Sequence, residues 1–124
     1  MTDPRETLAR IRKRADAATD GPWTAEYSGE QGNCALPPGY RSTREAVAVT
    51  RLWRAQSDAE FIAASRTTVP ALVDALEKVL NLHFKAPPIP AAYGTQEGGD
   101  YCVTCAEDWP CPTVRAITQA LTTT

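Results

Sequence analysis

A chain of 124 residues suits one domain built around one core. A net charge of −2 gives no broad cationic field for nonspecific binding along nucleic acid, and no apolar run approaches a membrane span. The charged first residues lack the apolar core of a signal peptide, so a reducing, cytoplasmic setting is expected, in which four cysteines favour metal ligation over disulfides.

In chain order, Asp3-Pro4-Arg5-Glu6 has the form of a capping box with proline first in the helix. Leu8, Ile11, Ala15 and Ala18 then recur at helical spacing, and Gly21-Pro22 stops the helix, giving residues 1–20. Arg5, Arg10, Arg12, Lys13 and Arg14 cover the rest of that surface as a solvated face, with an anion or nucleic-acid contact as the alternative. Trp23 to Tyr27 alternates as a half-buried strand does, and Ala46 to Trp53 reads as a second strand bringing Val47, Val49 and Leu52 to the core. The glycines and prolines of 28–43 predict a loop or irregular hairpin connection between them, so 23–53 forms a small sheet.

Ser57-Asp58-Ala59-Glu60 is a second capping box, opening a helix over 57–83 with Phe61, Ile62 and Ala64 inward. Pro70 interrupts it: an interior proline costs ~3 kcal/mol, so a break near Thr67-Thr68 is expected. Beyond the break, Leu72, Val73, Leu76, Val79 and Leu80 give the strongest periodic signal in the chain and the expected spine of the core. Residues 84–101, rich in proline and glycine, predict a mobile loop.

The stretch 102–124 carries the chemistry. Cys102 and Cys105, two residues apart, can turn both sulfurs toward one point, as in the knuckle of a zinc site. Cys111 sits where a helix begins, with Pro112 at its first position, and the helix dipole there favours the thiolate. His83, the single histidine, falls at the end of the central helix and makes a fourth ligand to a structural Zn2+; Cys34 is the rival for that place. A redox role for the Cys102–Cys105 pair lacks the surrounding βαβ pattern, and an exposed His83 capping its helix is the plain alternative to ligation. Val114, Ile117 and Leu121 form the stripe of a last helix. The fold class is therefore α+β: an N-terminal helix, a small antiparallel sheet of two or three strands, a broken central helix, and a zinc knuckle with its helix, in a single domain over 1–124.

Asp58-Ala-Glu-Phe-Ile-Ala-Ala, Val69-Pro-Ala-Leu, Leu76-Glu-Lys-Val-Leu, Leu82-His83, Cys102-x-x-Cys105 and Trp109-Pro-Cys-Pro-Thr-Val-Arg-Ala116, with Gly21-Pro22-Trp23 after the first helix, resemble a group of small uncharacterised proteins of actinobacteria and especially of their phages. The match covers the first helix and most of the second half. It implies a phage or prophage origin, hence the cytoplasm of a bacterial host, and it supports His83, Cys102, Cys105 and Cys111 as a set, with Cys34 outside the matched part.

Four protein ligands saturate zinc and leave no place for a catalytic water. The expected function is accordingly a non-enzymatic binding module with a protein partner, for which Trp53, Tyr93 and Trp109 are the candidate anchors. Nucleic-acid binding through the basic first helix is one alternative, opposed by Glu107 and Asp108 inside the knuckle. A zinc-dependent hydrolase is the other: it needs His83 free of the metal, and the deaminase pattern of His-x-Glu is absent, since Phe84 and Lys85 follow His83.

Overall fold

Asp3 sets the start of the first helix. Its Oδ1 accepts from the Arg5 N–H at 2.9 Å, and its carbonyl accepts from Glu6 and Thr7, so the cap and the proline behind it work as the sequence predicts. The computed structural model describes residues 3–29, 32–40, 43–87, 89–91, 94–96 and 100–122. Helix α1 spans Pro4–Ala17. Strands β1 (Thr24–Gly29), β2 (Gly32–Leu36) and β3 (Ala48–Thr50) follow, then α2 (Ala55–Leu82), a short hairpin of β4 (Ile89–Ala91) and β5 (Gly94–Gln96), and α3 (Pro112–Leu121). The fold is α+β.

The chain packs as two compact units, residues Ile11–Leu72 in one and Met1–Arg10 with Val73–Thr124 in the other. In the first, β1, β2 and β3 form an antiparallel sheet with β2 in the middle. Cys34 stands opposite Glu26 on one side and Val49 on the other. The central strand is thus the segment whose turn residues predict a loop. Its glycine and asparagine have poor strand propensity, but Cys34, Ala35 and Leu36 are all buried, and a consecutive run of small apolar residues suits a strand covered on both faces. The edge strand β3 is correspondingly short. Val47 and Val49 are partly exposed and Leu52 is well exposed, so the core contribution expected of them falls instead to β2. The Thr50 hydroxyl lies 2.6 Å from the carbonyl of Ala55 and 3.2 Å from that of Asn33, tying the start of α2 to the sheet.

Helix α2 runs unbroken for 28 residues with Pro70 inside it, which corrects the expected break. Proline removes one hydrogen bond, the one its N–H would give to the Arg66 carbonyl. A break would leave a full set of terminal N–H and C=O groups without partners on each side, a larger loss than that single bond. The helix also begins at Ala55, two residues before Ser57, so Ser57 sits in its first turn and not at its cap. Its inward face is set by Ala59, Ala63, Val73 and Leu80, all buried, with Ile62, Val69 and Leu76 half-buried between them. Phe61, Ala64 and Leu72, which the sequence pattern predicts to face inward, fall off this stripe and are exposed.

In the second unit the end of α2 is held by Arg5. Its guanidinium donates to the Leu80 carbonyl at 2.6 Å and to Asn81 Oδ1 at 2.9 Å, which satisfies a carbonyl left free at the helix C-terminus and sets a cation against the negative end of the dipole. Residues 84–86 pair with 101–103, and 100–102 with 107–109: Ala86 N–H donates to the Tyr101 carbonyl, Val103 N–H to that of Phe84, and Trp109 N–H to that of Asp100. The predicted loop over 84–101 is therefore replaced, among the described residues, by paired segments: Lys85 bridges to Cys102, and β4 pairs with β5. Tyr93 lies outside the described residues.

Replacement of Pro70 by alanine should restore the bond to the Arg66 carbonyl and raise stability by about 2 kcal/mol. The urea midpoint of unfolding reads this directly, and a lowered midpoint would mean that the pyrrolidine ring is itself part of the packing of α2.

Candidate metal centre

His83, Cys102, Cys105 and Cys111 come together at one point, their ligand atoms all within 4.8 Å of one another, in an arrangement that could hold a metal ion. Each is brought there by a different local device. His83 follows the last residue of α2, its N–H still donating to the Val79 carbonyl at 3.2 Å, so the imidazole leaves the helix at its terminus. Its Nδ1 lies 3.5 Å from Cys102 Sγ and 3.6 Å from Cys111 Sγ.

Cys102 and Cys105 lie on a tight turn. The Cys102 N–H donates to the Glu107 carbonyl at 2.8 Å and the Ala106 N–H to the Cys102 carbonyl at 2.9 Å. The turn closes through Ala106 at φ 61°, a left-handed conformation that disfavours any residue with a Cβ. Within it, the N–H groups of Thr104 and Cys105 point back at Cys102 Sγ, and that of Glu107 at Cys105 Sγ. The hydroxyl of Thr104 donates to the Leu82 carbonyl, stitching the turn to the end of α2 beside His83. Cys111 is the N-cap of α3, with extended backbone and Pro112 as the first helical residue, as its sequence context predicts. Its carbonyl accepts from the Arg115 N–H at 2.9 Å.

The electrostatics follow from these contacts. Cys102 and Cys111 are completely buried and Cys105 is exposed. Burial pushes the Cys102 thiol up, but the N–H groups of Cys105 and Thr104, the Cys105 side chain and His83 outweigh it and bring the pKa down to about 6. At Cys105 the Glu107 N–H favours the thiolate, yet partial desolvation of the sulfur by the cluster and the neighbouring sulfurs of Cys102 and Cys111 prevail and its pKa is raised. One thiolate is therefore ready at neutral pH, and the next is opposed by it until a cation compensates the charge.

All four cysteines are free thiols. Cys34 is not part of the cluster: it is buried in β2, where burial first and then Glu26 raise its pKa. Two contributors lie beyond what the sequence pattern reveals. Arg5 acts on a helix end 75 positions away, for which the chain carries no local signal. Thr104 sits between the two cysteines of the knuckle, and a hydroxyl placed there is the one local hint of its bond to Leu82. Trp109 and Pro110 border, with His83, Leu80 and Val114, a depression of about 400 Å3 beside the cluster.

No protein-family model, no curated protein and no solved structure matches the chain. The functional reading consequently rests on the site itself. No helix among the described residues is long and apolar enough to cross a membrane.

The Cys102 pKa gives a pH dependence with a definite sign. Its folded value, about 6, lies below the ordinary thiol value of 9.0. Its contribution to stability is therefore complete above pH 9, shrinks as pH falls, and is gone below about 6. Reduced, metal-free protein should show a falling thermal midpoint between pH 9 and pH 6. A flat or rising midpoint in that window would contradict the assignment of the early thiolate.

Proposed function

We propose that His83, Cys102, Cys105 and Cys111 hold one structural Zn2+, and that the protein is a non-enzymatic binding module for a protein of its host or phage. The observation that carries the metal half is the spacing of the donors. With Zn–S of about 2.3 Å and Zn–N of about 2.0–2.1 Å, a tetrahedron requires N···S edges of about 3.6 Å. His83 Nδ1 stands at 3.5 and 3.6 Å from the two buried sulfurs. Three thiolates with one imidazole are a soft set that suits zinc over calcium or magnesium. Four such ligands close the coordination shell, so the ion joins segments of chain and has no position for a reacting water. The resemblance to small phage proteins supplies the expected setting.

The binding half rests on large apolar side chains facing solvent in residues 11–72. Trp53 is 86% exposed, Phe61 77% and Leu52 74%. Leu52 and Phe61 line one shallow depression with Val49 and Ile62. Large apolar side chains exposed in this way supply the anchors of protein interfaces, and the Trp53 ring carries the Arg54 guanidinium 4.3 Å from its centroid. The basic surface of α1 offers less to nucleic acid, because Arg5 is engaged by Leu80 and Asn81.

Elemental analysis should return one zinc per chain, lost together with thermal stability in His83→Ala and in Cys111→Ser. Protein free of metal after expression in zinc-supplied medium, or His83→Ala retaining zinc at wild-type affinity, would refute the site. For the surface, a protein captured from host lysate by the wild-type chain should be lost with Phe61→Ser and with Trp53→Ala, both of which should keep the wild-type melting temperature. Equal capture by the two variants would remove this face from the function.

A further inference from the structure

A second concave feature lies wholly within residues 11–72, apart from the metal ligands and from the exposed aromatics. Ile11, Ala15, Trp23 and Val69 form the apolar wall of a cavity of about 280 Å3, between α1 and the middle of α2. Its polar lining is Arg14, Ser65 and Arg66, and no lining residue is acidic. Arg66 Nε is buried with no hydrogen-bond partner. A guanidinium nitrogen closed off from both water and an acceptor is unfavourable, and an anion held against the rest of the guanidinium offsets part of that cost through its charge.

The surroundings fix this arginine in place. Gly21 lies across its stem, and a Cβ added there would stand 2.6 Å from Arg66 Cγ. The absence of a side chain at Gly21 is what lets the stem pass. The Trp23 ring is fixed as well, since its Nε1–H donates to the Thr19 carbonyl at 3.1 Å. A preorganised cation beside a rigid aromatic wall loses little conformational freedom when a ligand arrives.

We propose that this cavity binds a carboxylate carried on a small apolar body. The carboxylate oxygens accept from the guanidinium groups of Arg66 and Arg14, and the body lies against Trp23, Ile11 and Val69. Guanidinium donors match the two oxygens of a carboxylate as a fork. The guanidinium groups alone would also take a phosphate, but Ser65 adds no free donor, its hydroxyl already donating to the Ile62 carbonyl at 2.6 Å, and the apolar wall of Ile11, Ala15, Trp23 and Val69 favours an anion that carries an apolar body. The Trp23 indole N–H is likewise committed, so the wall presents its ring and not a donor. The volume lies at the small end of the range for ligand sites, fitting one aromatic or branched aliphatic acid. Such a group is supplied equally by a free organic acid or by the C-terminus of a peptide ending in an apolar residue.

The test is a 15N-NMR titration of the full chain, following the Trp23 indole and Arg66 Nε–H signals. The probes are 3-phenylpropionate, a short peptide ending in a free leucine, the same peptide amidated, and inorganic phosphate. Saturable shifts with one or both acids, none with the amide, and a loss of about tenfold in affinity with Arg66→Gln support the site. Binding of phenylpropionate alone identifies a free acid as the ligand, and binding of the peptide a C-terminus. Arg14→Gln, a change on an exposed helix position, should also weaken binding and decides the matter where Arg66→Gln disturbs the fold. Unmoved signals at millimolar acid, equal binding of the amide, tighter binding of phosphate, or wild-type affinity in Arg14→Gln together with a folded Arg66→Gln would overturn the proposal.

Discussion

Three sulfurs and an imidazole held within 4.8 Å of one another cannot all be thiolates at once without a positive charge between them. The same opposition sets the thiol pKa values: the thiolate favoured at Cys102 makes the next one at Cys105 harder to form. A cation at the centre reverses that sign, turning mutual repulsion into four attractive bonds. Much of the described part of residues 73–124 converges on this cluster. The turn at Cys102 accepts a left-handed alanine, Thr104 reaches the end of α2, and Cys111 forgoes a side-chain cap bond at the start of α3. The first and the last are modest local costs, and the Thr104 bond is a local gain; all three bring the sulfurs toward a common point.

The parts of the structure that were legible in the sequence are those governed by local chemistry. Asp3 before Pro4, and Cys111 before Pro112, announce helix starts because the first turn has free N–H groups and a proline that lacks one. His83 at a helix end and the two-residue spacing of Cys102 and Cys105 point to one site because geometry near each is short-range. What stayed hidden depends on tertiary context. Strand β2 reads as a loop residue by residue, and only its place between β1 and β3 makes a strand of Gly32–Leu36. Pro70 reads as a break since intrinsic propensity counts the lost bond and not the bonds a break would forfeit. Phe61 reads as core because the pattern cannot say which of two overlapping stripes faces inward.

That last error carries information about the molecule. In residues 11–72 the buried apolar positions are small ones: Cys34, Ala35, Ala59 and Ala63, with Leu36 the largest. The bulky side chains Leu52, Trp53 and Phe61 face solvent. A sequence under selection for core packing alone would place size the other way round, since hydrophobic burial scales with area and each of these side chains would contribute more inside than an alanine does. Exposure of this size on Leu52, Trp53 and Phe61 is the observation on which the proposed binding role rests.

The two units thus divide the physical work differently. In residues 73–124, the described segments converge on the cluster of His83, Cys102, Cys105 and Cys111, and their pairings are short: single bridges at Lys85–Cys102 and Tyr101–Asp108, and the three-residue strands β4 and β5. In residues 11–72, order comes from a three-stranded sheet and the long helix, neither of which needs a ligand to form its hydrogen bonds. A scaffold of the second kind can keep a cavity and an apolar face without collapsing onto them. If the cluster holds the proposed Zn2+, its removal should accordingly loosen the knuckle and α3 first, because the sheet draws none of its bonds from His83, Cys102, Cys105 or Cys111.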